Sequence, residues 1–202
     1  DQGRLDIRGF CITTPAGAGS PEQFLSRIGQ MPVFRGDAWV DHIAFGENFG
    51  GLSDPMFRRR QEAKPDEVAQ WRRIVTEVAK ARLPLHVHTN FENTIDLFLD
   101  EIEAVNREYP IRNLRWVLAH FNQPTAAQLE RMKRLGMYAA VHPWAVINGG
   151  INLRQFGDAA YDMAPLATIQ KSGITWGFGS DGSRANQILP FETLGWAVTG
   201  KM

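Results

Sequence analysis

With a single cysteine, Cys11, the chain can close no disulfide within itself, and one thiol says little about compartment. Neither sign of charge is in excess: 22 basic and 22 acidic side chains cancel, and the lysines and arginines are scattered. Nothing in this balance argues for electrostatic capture by nucleic acid or by an anionic membrane surface. No apolar run approaches the roughly 20 residues of a membrane span. The Gly-x-Gly-x-x-Gly fingerprint is missing too, so a nucleotide-binding doubly wound sheet has no positive support. An initiator Met and a signal-peptide pattern are both lacking before Asp1, and the chain closes on Gly200-Lys201-Met202 just after an amphipathic segment begins. The expectation is a piece of a longer protein, with the compartment open and the cytoplasm as the default.

What is present is histidine and tryptophan, five and six copies in 202 residues. The stretch Leu83-Pro84-Leu85-His86-Val87-His88-Thr89-Asn90 is a short apolar run with two histidines two positions apart. Side chains alternate faces along a strand, so His86 and His88 point to one side, where two imidazoles can hold a divalent metal. Either can equally be an ordinary hydrogen-bonded histidine. Residues 114–120 form a second apolar run, ending in His120, and residues 174–181 a third, ending in Gly-Ser-Asp.

The length suits one substantial core and a single domain. Residues 1–38, rich in Gly, Pro and Thr, read as an irregular lead-in with one helix at 21–28, which Ser20 can cap. Strands are expected at 39–45, 83–87, 114–119, 137–141 and 174–178. A stripe of Val68, Trp71, Ile74, Val75 and Val78 predicts a helix over 65–82, and Ile95, Phe98, Leu99, Ile102 and Val105 predict another over 93–109. A third is expected at 125–135, where Thr125 and Gln128 have capping-box spacing and Gly136 sits at the C-terminal cap. A short helix is expected near 165–171, and Pro190 opens a last one. The Gly-rich exit from residue 46 up to Lys64 predicts a lid or wall, and 145–162 a long loop.

Alternating strands and helices mean parallel strands joined by helical crossovers. Polar residues cluster where the strands end, which is where a parallel barrel keeps its active site. The expected fold class is therefore α/β, a parallel (β/α) TIM-barrel-type fold. At 202 residues the chain is shorter than the ~250 of a complete barrel, so about five strands are expected, with another chain able to supply the rest.

The strand ends offer Glu47, His86 with His88, His120 and Asp181, with His142 on a fifth. Histidines and carboxylates converging from different strands can hold one or two divalent ions and activate water. His142 can instead be a loop histidine bonded to backbone. Trp144, just past a strand end, is a candidate substrate wall, whereas Trp71, Trp116 and Trp196 read as core. Glu92, Asp96, Asp100 and Glu101 read mostly as a solvated helix face. The run Arg58-Arg59-Arg60 could meet an anionic substrate, though a solvated turn is the simpler reading.

Four stretches resemble the metal-dependent amidohydrolase superfamily, specifically its YtcJ-like branch in the amidohydrolase 3 group. They are Leu85-His86-Val87-His88-Thr89, Leu114-Arg115-Trp116-Val117-Leu118-Ala119-His120, Leu135-Gly136-Met137-Tyr138-Ala139-Ala140-Val141-His142-Pro143 and Gly179-Ser180-Asp181-Gly182. The resemblance covers roughly residues 39–202, the later part of that family's barrel. It implies that His88 is the fifth-strand metal ligand, His120 the sixth, and Asp181 the eighth-strand aspartate that binds metal and takes the proton from the attacking water. Glu47 falls near the bridging position, where many members carry a carboxylated lysine. The first-strand His-x-His of the family is absent from this chain. Thr89-Asn90-Phe91-Glu92 replaces the small residues and Gly-Asp usual after the fifth-strand histidine, so Asn90 joins His86, His142 and Trp144 as expected substrate-pocket residues.

The implied cofactor is a divalent metal, zinc by preference, as one or two ions. The implied partner is a small-molecule substrate; no nucleic acid or membrane is expected, and a homo-oligomer is left open. Three functions compete: metal-assisted hydrolysis of an amide or cyclic amide C–N bond, decarboxylation or deamination on the same scaffold, and a non-catalytic metal-binding or assembly fragment. A fold alone does not choose between chemistries.

Overall fold

The five apolar runs expected as strands all become strands, and all point the same way. The computed structural model describes residues 8–13, 21–28, 30, 32–48, 62–182 and 189–201. Six strands form one sheet: β1 (Gly9–Thr13), β2 (Val40–Glu47), β3 (Leu85–Thr89), β4 (Val117–His120), β5 (Tyr138–Val141) and β6 (Trp176–Phe178). Their order across the sheet is their order along the chain, and each neighbouring pair is parallel. A singly wound parallel sheet with helical crossovers curls into a barrel wall; here it is a half-barrel.

The crossovers are α1 (Pro21–Arg27), α2 (Pro65–Lys80), α3 (Glu92–Asn106) and α4 (Ala126–Leu135). Between β5 and β6 the chain makes a longer excursion through α5 (Trp144–Ile147), α6 (Gly149–Phe156), a 3₁₀ segment (Gly157–Asp162) and α7 (Leu166–Ser172); α8 (Pro190–Thr199) follows β6. The stripes of α2 and α3 are buried as their periodicity requires, Trp71, Ile74, Val75 and Val78 on one and Ile95, Phe98, Leu99, Ile102 and Val105 on the other. They share a core with Leu85, Val87 and Leu118 of the sheet. The Trp71 and Phe98 rings meet with centroids 4.6 Å apart. Burying each such side chain contributes about 1.5–3 kcal/mol, which outweighs the modest propensities of these segments. Trp116 and Trp196 are also buried.

α4 starts and stops as its sequence dictates. The Thr125 hydroxyl accepts from the Gln128 backbone N–H at 3.2 Å while the Thr125 N–H donates to the Gln128 side chain at 3.0 Å. Gly136 then turns left-handed, at φ 72°, and ends the helix.

Several expectations need correction. The lead-in contains a strand, β1, so six strands are present rather than about five. The loop expected over 145–162 is mostly helical: Asn148 and Asn152 donate from their amides to the carbonyls of Trp144 and Ala145, and these contacts hold short helices that Gly149-Gly150 would not sustain alone. β4 begins later than expected because Asn113 and Arg115 are left-handed, at φ 74° and 58°. Glu101 is not solvated: it is buried and receives both Arg72 Nε and Nη2, the latter at 2.9 Å. Glu92, Asp96 and Asp100 do face solvent as expected, and Asp96 and Asp100 join Glu103 around Arg131, which crosses from α4. The Arg58-Arg59-Arg60 run, the Ser20 cap and most of the Gly-rich exit after β2 lie outside the described residues.

Candidate metal centre

Parallel strands present all their carboxyl ends on one side, and five polar side chains gather there. Glu47 ends β2, His88 lies near the end of β3, His120 ends β4, His142 follows β5 and Asp181 lies three residues beyond β6. Side chains at paired positions of neighbouring strands share a face. The register pairs Phe45 with Leu85 and Val87 with Leu118, all core residues, and His88 with Ala119 on the opposite face.

By that alternation Glu47, paired with Val87, and His120, paired with Thr89, should point outward to the helices. Both point inward. His120 does so from a left-handed backbone, φ 70°. Glu47 does so after Gly46, whose φ is 138° and where a Cβ would collide with the carbonyl oxygen of His86. Asp181 is left-handed as well, at φ 51°. Non-glycine residues in this region cost about 1–3 kcal/mol each and persist where the surroundings over-determine them.

The hydrogen bonds form a directed chain. The backbone N–H of Trp144 donates to His142 Nδ1 at 3.1 Å, so neutral His142 carries its proton on Nε2. That nitrogen faces His120 Nδ1. His120 Nε2 lies 2.5 Å from Glu47 Oε1. His88 Nδ1 donates to the same oxygen at 3.0 Å, and its Nε2 accepts from the Asn90 amide at 3.1 Å. Asn90 in turn accepts from Asn122 at 2.7 Å. On the other side of the site, the Trp144 indole N–H donates to Asp181 Oδ2 at 3.1 Å.

Burial sets the charge states. Burial alone would raise the Glu47 carboxyl, but the hydrogen bonds from His120 and His88 outweigh it and hold the group well below the usual carboxylate range. Burial lowers His142 to about 2, helped by the neighbouring His120 and His88. It lowers His120 too, against the pull of Glu47. Glu47 is thus an anion beside the neutral imidazoles of His120 and His142.

Two sets of donors are close enough to hold a cation: Glu47, His88 and His120, and His120, His142 and Asp181, with the donor atoms of each set within 4.8 Å of one another. His120 belongs to both. Imidazoles with a carboxylate suit zinc and similar borderline cations, and three protein donors leave a coordination position open. Of the expected site residues, the fold brings together Glu47, His88, His120, His142 and Asp181, with Asn90 and Trp144 bonded to them. It leaves His86 out: His86 shares the inner face of β3, but its Nε2 is sealed from solvent and has no partner among the described residues. Burial lowers its pKa to about 4. Asn122 was not expected; its position two residues past His120 was the only available signal. A cavity of about 500 Å³, lined by Ala145, Val146, Leu153, Met163 and Trp196, contains none of these polar residues.

The sequence pattern of the Amidohydrolase family matches residues 15–202. No curated protein matches the chain significantly. Among solved structures, an uncharacterized metal-dependent hydrolase from Pyrococcus furiosus is 19% identical with a TM-score of 0.69, over 100% of this chain and 42% of that one. Another from Pyrococcus horikoshii OT3 is 20% identical with a TM-score of 0.68, over 97% and 40%. An adenosine deaminase from Xanthomonas campestris with bound zinc is 17% identical with a TM-score of 0.56, over 95% and 42%. At these identities the likeness is one of fold, and the chain spans about two fifths of each of these proteins. The match along nearly all of its length shows that the chain belongs to the Amidohydrolase family.

Proposed function

We propose that the chain forms the later part of a metal-dependent hydrolase barrel that cleaves a carbon–nitrogen bond of a small molecule with water. The observation that carries this reading is the convergence of Glu47, His88, His120, His142 and Asp181 at one end of the sheet. The residues fit a divalent cation, zinc above all, because His120 and His142 are held neutral and Glu47 ionised, which are the ligating forms. Such a cation supplies Lewis acidity and makes water a competent nucleophile near neutral pH.

The chain's own residues do the rest. Asp181 accepts the proton of the attacking water and returns it to the leaving nitrogen. Glu47 holds His88 and His120 by one shared oxygen, and Asn90 fixes the ring of His88 from its far side. His142 and Trp144 form the wall nearest Asp181, against which the substrate lies.

The test is an assay of the zinc-loaded protein that contains this chain. Amides, cyclic amides and aminoheterocycles are scanned for C–N cleavage, with carbon dioxide release followed in parallel. Asp181→Asn should reduce turnover by about 10²–10⁴-fold without changing the circular dichroism. Full activity in folded, metal-loaded Asp181→Asn would remove the catalytic role, and carbon dioxide as the product would replace hydrolysis with decarboxylation.

A further inference from the structure

Trp144 bonds to two residues of the site at once. Its backbone N–H donates to His142 Nδ1 and its indole N–H donates to Asp181 Oδ2, each at 3.1 Å. These are different groups of one residue, and they act on side chains that follow different strands. The residue is buried, 8% exposed, and α5 is secured behind it by the amides of Asn148 and Asn152. The position of both donors is therefore set by packing rather than by a mobile side chain.

The indole N–H donates to Oδ2, so the two oxygens of the Asp181 carboxylate are no longer equivalent. With Oδ2 tethered, the carboxylate is held in one orientation toward the centre. On the other side, the main-chain donation to Nδ1 fixes which nitrogen of His142 holds a proton. We infer that Trp144 is a positioning residue: it holds Asp181 by one carboxylate oxygen and sets the tautomer of His142. This rests on the metal-dependent reading above and gives Trp144 a role besides that of a substrate wall.

The full chain is stripped of metal and titrated with zinc by calorimetry as the unsubstituted protein, Trp144→Phe, Asp181→Ala and the double variant. Trp144→Phe keeps the backbone donor and deletes the indole one. Loss of an outer partner of a metal ligand typically weakens binding 10–100-fold. Trp144→Phe should therefore bind zinc at least about 10-fold more weakly, with the double variant no weaker than Asp181→Ala alone. A readout independent of zinc and of the Trp144→Phe fold is the indole ¹⁵N–H resonance of Trp144, assigned in the unsubstituted chain. It should move in Asp181→Ala.

Unchanged zinc affinity in Trp144→Phe, an equal loss in both backgrounds, or an indole resonance indifferent to Asp181→Ala would each overturn the positioning role while leaving the metal site intact. Failure of the unsubstituted chain to bind zinc would overturn both.

Discussion

At the scale of single residues, the site depends on backbone conformations that side-chain patterning does not announce. Gly46 is the plainest case, since any Cβ there would meet the His86 carbonyl. Gly46→Ala must push β2 away from β3 and take Glu47 off His88 and His120. A stability loss of about 2–4 kcal/mol is expected, by the usual size of backbone and packing clashes, together with loss of zinc binding. A chemical-denaturation midpoint within error of the unsubstituted protein would contradict this. Acid should act through the buried imidazoles. His86 and His142 titrate at about 4 and about 2 when folded, against 6.5 when free. Below pH 6.5 the unfolded chain binds protons that the folded chain does not, so stability is full above that pH and falls as the pH drops through it. Each residue contributes a slope of about 1.4 kcal/mol per pH unit, which for His86 levels off near its folded value. The lowered Glu47 carboxyl works in the same direction at still lower pH. Urea midpoints in chelator at pH 7.5, 6 and 5 would check this; a His86→Gln, His142→Gln protein should show a flatter profile. The histidines and Asp181 could be read from the sequence because they follow apolar runs. The inward turn of Glu47 and His120 could not, because strict alternation sends both toward the helices and only positive φ at Gly46 and His120 reverses them.

Among the elements, α2, α3 and α4 were readable from periodicity and end signals, since their stripes and caps are local. Between β5 and β6 the short helix α7 was expected near 165–171, but α5 and α6 were not, because their stability comes from amides of Asn148 and Asn152 reaching back to α5, a contact with no periodic trace. Nor was the pairing of α3 with its neighbours. A solvated face is what a run of acidic residues ordinarily means, yet Glu101 lies under Arg72, and Arg131 collects Asp96, Asp100 and Glu103. The Glu103 hydrogen bond, followed by that of Asp100, raises the Arg131 guanidinium further above its ordinary range despite a burial effect that opposes it. Arg131→Leu would leave three carboxylates facing one another. The loss should be about 1–2 kcal/mol at low salt, more than an isolated surface pair provides, and it should shrink as salt screens the residual repulsion. Thermal denaturation at two ionic strengths tests it, and a salt-independent loss would point to packing of the aliphatic stem instead.

For the molecule as a whole, the sequential order of the strands means that every strand leans only on its neighbours in the chain. β3 and β4 have partners on both sides, whereas β1 and β6 have one each among the described residues. β6 is three residues long and none of them is fully buried, while Leu118 in β4 and Leu85 in β3 are wholly enclosed. Opening under native conditions should therefore begin at the rims, with β6 amides exchanging with deuterium well before those of β3 and β4. Equal protection of β6 and β4 would contradict that order. The site inherits this gradient because its groups come from different places in the sheet. His88 and His120 sit on the central pair, and Asp181 hangs beyond the rim strand. A transient opening of the rim would carry Asp181 away while the imidazole pair stays assembled, so under the proposed function turnover would fall silent before the cation was released.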